Sequence, residues 1–221
     1  MTRLTAIAAL CLTLVAGAAW WLNSGAETPP DLTFAANAQE AGEVDTSSIV
    51  EMSLGNPEAD VTVIEYASFT CPHCADFHAD QFKKLKADYI DTGEINFIYR
   101  DVYFDRFGLW ASMLARCGGE ERFFGLTSVI YDKQKEWIGS GDPVSIANEL
   151  RKIGKVAGLD EDRIEQCLAD QDKAKALVAW YQKNAEEHDV NSTPSLVING
   201  EKYSNMAYDE LKAIIDEKLG G

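Results

Sequence analysis

Cys71-Pro72-His73-Cys74 is the stretch of this chain with the clearest chemistry. Two thiols three residues apart can form and break a disulfide within one helical turn. A proline between them suits the first helical position, where its missing N–H has no intrahelical partner. Upstream, Val61, Val63 and Ile64 make a β-branched apolar run that passes through Tyr66 and Phe69 into the pair. Downstream, His78, Phe82, Leu85 and Tyr89 recur at helical spacing, and Asp91-Thr92-Gly93 supplies a stop. These patterns predict a buried strand feeding one continuous helix whose first turn carries both cysteines. A thiol at that helix N-terminus lies near unpaired backbone N–H groups and the positive end of the helix dipole. Cys71 is therefore expected as an exposed, thiolate-prone sulfur, with His73 adding a positive charge or a hydrogen bond. Cys74, deeper in the turn, is expected to be more buried and able to attack the sulfur of Cys71. That is redox dithiol chemistry. Zinc needs four ligands, and Cys71, Cys74 and His78 supply three at most. A purely structural disulfide is the other alternative.

Other residues with chemical potential are scattered. Glu65 sits inside the apolar run, and by strand alternation alone it reads as pointing outward on a polar side. Cys117 and Cys167 are separate and neither belongs to a second Cys-x-x-Cys. His78 and His188 read as a helix-lining and a surface histidine. Trp110, Trp137 and Trp180 read as core of a helical block, part of which can also form an apolar rim around the thiol pair.

Around these residues the chain of 221 has room for one domain, or one domain with an insertion, and its net charge is −16. That charge argues against nucleic acid or an anionic membrane surface as partner. Met1 to Leu22 has the pattern of a targeting segment. Arg3 precedes an uncharged apolar core from Leu4 to Val15, and Ala16-Gly17-Ala18 resembles a cleavage site. An uncleaved anchor over residues 4–22 is the competing expectation, and either one exports the rest of the chain. Residues 23–48 are acidic, alanine-rich and aperiodic, as in a disordered linker. Five cysteines, one of them Cys11 in the leader, leave an even four for an oxidising compartment.

The elements that must position the pair come in a simple order. A short edge strand is expected at 49–54, the strand and helix of the dithiol next, then an alternating strand over Glu94–Val102. Strand, helix and strand make a βαβ unit with a right-handed crossover. From about 105 to 188 no strand signal appears. Helices are expected at 109–117, 121–133, 144–157, 162–169 and 173–187, with Asp142-Pro143 as a cap. Asn199-Gly200 marks a hairpin between strands at 195–198 and 201–203. A last amphipathic helix covers 208–219, with Leu211, Ile214, Ile215 and Leu219 on one face.

Together with Thr193-Pro194 far downstream, the Cys-Pro-His-Cys segment resembles the DsbA family of exported thiol:disulfide oxidoreductases. The resemblance runs from about Val50 to Leu219 and includes Glu65, six residues before the first cysteine. It implies an α/β thioredoxin-like fold with an inserted all-helical domain: first part at 49–104, helical insertion at 105–188, second part at 189–221. It implies a catalytic set of Cys71, Cys74, His73 and Pro72, with Glu65 as a buried acid that takes the proton of Cys74. Thr193 and a cis Pro194 would face the pair and bind the substrate strand. Many members of the nearest subgroup carry valine before that proline, and threonine here bears on the balance between oxidase and isomerase behaviour. The implied partners are reduced, unfolded exported proteins and a quinone-linked membrane reoxidase, and the expected chain is a monomer with no cofactor, no metal and a periplasmic location. In an exported protein beside an oxidant, Cys117 and Cys167 are expected as a structural disulfide. A reductase or isomerase using the same pair, and a non-catalytic exported binding module or chaperone, are the alternatives.

Overall fold

The computed structural model describes residues 44–139 and 141–220. The expected leader or anchor at 1–22, and the linker up to residue 43, lie outside the described residues. Among those described, no helix is long and apolar enough to cross a membrane.

Among the described residues, five strands form one sheet in the order β1-β3-β2-β4-β5. They are β1 (Met52–Gly55), β2 (Val61–Ala67), β3 (Ile95–Asp101), β4 (Ser195–Ile198) and β5 (Glu201–Ser204). β2 runs parallel to β3 and antiparallel to β4, while β1 and β5 are antiparallel edges. β-branched residues favour the pleated, enclosed position of β2, which is buried along nearly its whole length. β3 shows the alternation its sequence announces, with Ile95, Phe97, Tyr99 and Asp101 buried. The hairpin from β4 to β5 turns at Asn199-Gly200, both at positive φ, as a type I′ turn requires.

The helix after the dithiol is not continuous. It comprises α1 (Pro72–Ala79), α2 (Gln81–Leu85) and a π-helical turn over Lys86–Ile90. Asp80 leaves helical geometry (φ −123°, ψ −70°). The bonds from Asp80 N–H to the Asp76 carbonyl and from Lys84 N–H to the Asp80 carbonyl persist, so the element bends rather than ends. The wide final turn re-phases the apolar face and buries Tyr89 and Ile90 together.

Six helices lie between β3 and β4: α3 (Arg106–Cys117), α4 (Glu120–Asp132), α5 (Gln134–Ile138), α6 (Pro143–Val156), α7 (Glu161–Ala169) and α8 (Gln171–Glu187). Asp105, Asp142, Asp160 and Asp170 cap α3, α6, α7 and α8 through side-chain acceptors. Asp105 starts α3 a turn earlier than apolar periodicity suggests, and α5 is too short to have left a periodic signal. α6 crosses its neighbours closely. A Cβ at Gly154 would lie 2.8 Å from Ile164 Cδ1 and 2.9 Å from Leu114 Cδ1. Cys117 of α3 and Cys167 of α7 are joined by a disulfide with a Cα–Cα distance of 5.8 Å. The final helix, α9 (Tyr208–Lys218), buries Leu211 and Ile215, but Leu219 falls beyond it and is exposed.

The sheet has a core on each face. Val61, Val63 and Ala67 of β2 join Cys74, Phe77, Leu85 and much of the helical insertion in the main cluster. Ile64 and Tyr66 face the opposite way with Val102 and Val197, covered by Tyr181 of α8.

Candidate active site

Cys71 is the N-cap of α1, with extended backbone angles (φ −83°, ψ 120°) and its N–H donating to the Ser68 carbonyl. Pro72 and His73 occupy the first two helical positions and are exposed. The sulfurs of Cys71 and Cys74 are both free thiols. Cys71 is less open than expected, with 9 % relative exposure against 0 % for Cys74, because the loop before β4 covers it. Cys71 Sγ lies 3.5 Å from the Thr193 carbonyl oxygen. The Thr193–Pro194 bond is cis, Pro194 is buried, and the Thr193 hydroxyl is buried without a hydrogen-bond partner.

The two thiols have opposed acidities. Cys71 is lowered to about 5, first by the hydrogen bond that the Cys74 thiol offers its sulfur, and further by the backbone N–H groups of Cys74 and His73. Burial works against this shift and loses. Cys74 is pushed far up, mainly by burial, then by its bond to Cys71 and by the negative charge of Glu65. The helix terminus thus contributes to the Cys71 thiolate, but the neighbouring sulfur contributes more.

Glu65 does not point outward. It is fully buried, on the same face of β2 as Val63 and Ala67, because helices cover both sides of this central strand and leave no polar side. Its Oε2 lies 2.9 Å from His78 Nε2, and its Oε1 is buried with no partner. His78 is therefore more than a lining residue. It is 6 % exposed, stacks on Tyr131 with centroids 4.3 Å apart, and lies against Phe82 at 4.7 Å. Among the described residues no three metal-ligating side chains converge; the histidine of the zinc alternative serves Glu65 instead.

Other positioning residues left no sequence signal. Gln134 of α5 is buried, and its amide donates to the carbonyls of Phe69 (2.8 Å) and Cys71 (2.9 Å). The helical insertion thereby grips the loop that carries the first thiol. Asp105, besides capping α3, accepts from the Thr70 hydroxyl at 2.7 Å. Asp is a residue type that favours helix caps, but neither the cap nor the contact with Thr70 was read from the sequence. His188 is half-buried rather than a surface group, with Nδ1 2.7 Å from the Tyr66 hydroxyl on the far side of the sheet. Trp137 is core, while Trp110 and Trp180 are half-buried. Near Asp105, exposed Phe104 precedes Arg106, which lies over the rings of Phe107 and Trp110.

A family model described as Thioredoxin matches residues 47–217. The chain belongs to the thioredoxin family. Within that family its relatives are of DsbA type. The crystal structure of alpha-DsbA1 from Wolbachia pipientis superposes with a TM-score of 0.70 at 27 % identity, covering 77 % of this chain and 91 % of that one. Disulfide bond formation protein D of Bacillus subtilis is 29 % identical over 180 residues, 76 % of this chain and 77 % of that protein. A Rickettsia bellii protein, provisionally named a protein-disulfide oxidoreductase, is 33 % identical over 174 residues, again 76 % of this chain. This thioredoxin-family chain spans 64 % of that relative's length, less than two thirds.

A thioredoxin-like frame with a low-lying thiol, a buried second thiol and a buried carboxylate can accept and return a disulfide. The thiolate at Cys71 is a good leaving group, and Cys74 stays protonated until a base removes its proton.

Proposed function

We propose that this chain is an exported thiol:disulfide oxidoreductase that introduces disulfides into reduced proteins through Cys71-Pro72-His73-Cys74. The observation that carries the reading is the opposed acidity of the two thiols, Cys71 lowered to about 5 and Cys74 raised. A stable Cys71 thiolate favours the reduced protein, and a protein favoured when reduced gives its disulfide away.

In this reading a substrate thiolate attacks the Cys71 sulfur and expels Cys74, which takes up a proton. A second substrate thiolate then attacks the substrate sulfur of the mixed disulfide and releases the Cys71 thiolate. Pro72 sets the start of α1, and His73 faces solvent where it can favour the thiolate. Glu65 exchanges the proton of Cys74. Thr193 and Pro194, against the Cys71 sulfur, dock the substrate backbone. The Cys117–Cys167 bond is structural, since it ties α3 to α7 and touches neither active thiol. The partners of this activity are reduced exported proteins, and reoxidation falls to a quinone-linked membrane protein. The site of action is the periplasm, with residues 1–22 directing export.

The test is a pair of assays on purified protein: oxidation of a dithiol peptide by the oxidised form, and reduction of insulin by the reduced form. Oxidation faster than reduction, with both lost in Cys71→Ala, is the expected result. Insulin reduction as the faster reaction favours a reductase, and exchange that survives Cys71→Ala removes the pair from the chemistry.

A further inference from the structure

Cys74 and His78 are four residues apart on α1, so they lie on one face of the helix. That face rests on β2, where Glu65 stands beneath both. One carboxylate oxygen, Oε2, is 2.9 Å from His78 Nε2. The other, Oε1, is buried and unpartnered, and the carboxylate is close enough to Cys74 for its charge to act on that thiol. Glu65 thus joins a fully buried sulfur on one side to a histidine on the other. The His78 side chain keeps 4 % of its surface in contact with solvent. Glu65 has none, so it cannot exchange a proton with water directly.

We propose that His78 is a positioning residue that passes a proton between Glu65 and solvent each time Cys74 gains or loses one. The inference rests on the exchange function proposed for the dithiol. When the Cys71–Cys74 bond breaks under attack by a substrate thiolate, its electron pair goes to the Cys74 sulfur. That sulfur takes the proton held by the Glu65–His78 pair, and His78 recovers one from solvent. In the reverse direction, Cys74 gives its proton to Glu65 and attacks the Cys71 sulfur of a mixed disulfide. The partner thiolate leaves, and the proton departs through His78.

Among the described residues, little else in contact with His78 can carry charge. Besides Glu65 of β2 and Cys74 of α1, the titratable groups against it are Tyr99 of β3 and Tyr131 of α4. Their hydroxyls share a 2.8 Å hydrogen bond, and burial raises both phenols well above their ordinary range. They remain neutral at working pH. Asp101, which acts on Tyr99, is itself paired with Arg116 at 2.9 Å. Phe77 and Phe82 complete the enclosure without charge.

The experiment uses the reduced full chain and oxidised glutathione, with quenching and mass spectrometry to separate two steps. The first is attack by Cys71 to form the mixed disulfide, and the second is its resolution by Cys74. His78→Gln keeps a donor toward Glu65 but carries no proton at neutral pH, whereas His78→Phe removes the donor too. Both variants are expected to form the mixed disulfide at the wild-type rate, which also shows that they are folded. Both should resolve it about tenfold or more slowly, as for loss of a general acid–base path. The dependence of wild-type resolution on pH across about 5 to 8, the window where histidine side chains exchange protons, should flatten in both. If His78→Gln resolves at the wild-type rate and with the wild-type pH profile, His78 only holds Glu65 in place and the relay is overturned. If wild type forms no mixed disulfide, the exchange reading itself fails and this inference falls with it.

Discussion

Replacing Cys74 by Ala in the reduced protein separates two explanations of the Cys71 thiolate. A helix N-terminus alone would leave Cys71 nearly unchanged, because α1 and its backbone N–H groups survive. The electrostatics of the site instead put the Cys74 thiol first among the groups that lower Cys71 to about 5. A hydrogen bond to a charged group contributes roughly 1.5–3 kcal/mol, with thiols at the weak end, so its loss should raise Cys71 by about one unit. The stability consequence has a definite sign. A thiol whose folded pKa is depressed stabilises the native state fully above its unfolded value of about 8.5, and loses that contribution as pH falls through the folded value. With the folded value at about 5, the wild-type thiolate contributes about 2 kcal/mol at neutral pH after discounting for solvent screening at the rim. Cys74→Ala should forfeit about 1 kcal/mol of this, and that pH-dependent part of the difference from wild type should vanish near pH 4, where both carry a thiol, leaving the pH-independent loss of the packing of the buried sulfur. The assays are ultraviolet thiolate absorbance and the rate of alkylation by iodoacetamide against pH, with denaturant unfolding at neutral and acidic pH. A Cys71 midpoint in Cys74→Ala within about 0.3 units of wild type would refute the sulfur–sulfur account and return the effect to the helix terminus.

Two more outcomes are expected from the helical insertion. Cys117→Ala with Cys167→Ala opens a bridge spanning a sequence separation of 50, which should cost up to about 4 kcal/mol and lower the melting temperature by roughly 10 °C; calorimetry checks this, and alkylation of Cys71 should keep its rate. Gln134→Leu leaves the carbonyls of Phe69 and Cys71 without this donor, so stability should fall by about 1–3 kcal/mol and Cys71 alkylation should change with it; an unaltered melting curve would show that the loop before α1 holds without α5.

Much of this molecule was legible because it is local. Pro72 after Cys71, Asp142 before Pro143 and Asn199-Gly200 act within four residues, and backbone geometry at those distances depends little on the rest of the chain. The apolar run of β2 and the alternation of β3 likewise announce strands by side-chain type alone. The break at Asp80 was not legible, since no proline or glycine marks it and its hydrogen bonds remain. The burial of Glu65 was implied by the family resemblance, but strand alternation alone pointed it outward, for a more general reason. Strand alternation says that neighbours face opposite ways, but whether either way is solvent depends on which helices cover the sheet. Here α1 covers one face and α8 the other, so the carboxylate is enclosed whichever way it turns. Its partner His78 is 13 residues away, and the amide that holds Cys71 comes from Gln134, 63 residues away. The sequence by itself determined that a dithiol would stand at the start of a helix behind a buried strand. The family resemblance named the carboxylate, and only the tertiary structure decided which histidine and amide meet the site there, because burial and hydrogen bonding between distant segments are set by packing and not by spacing along the chain.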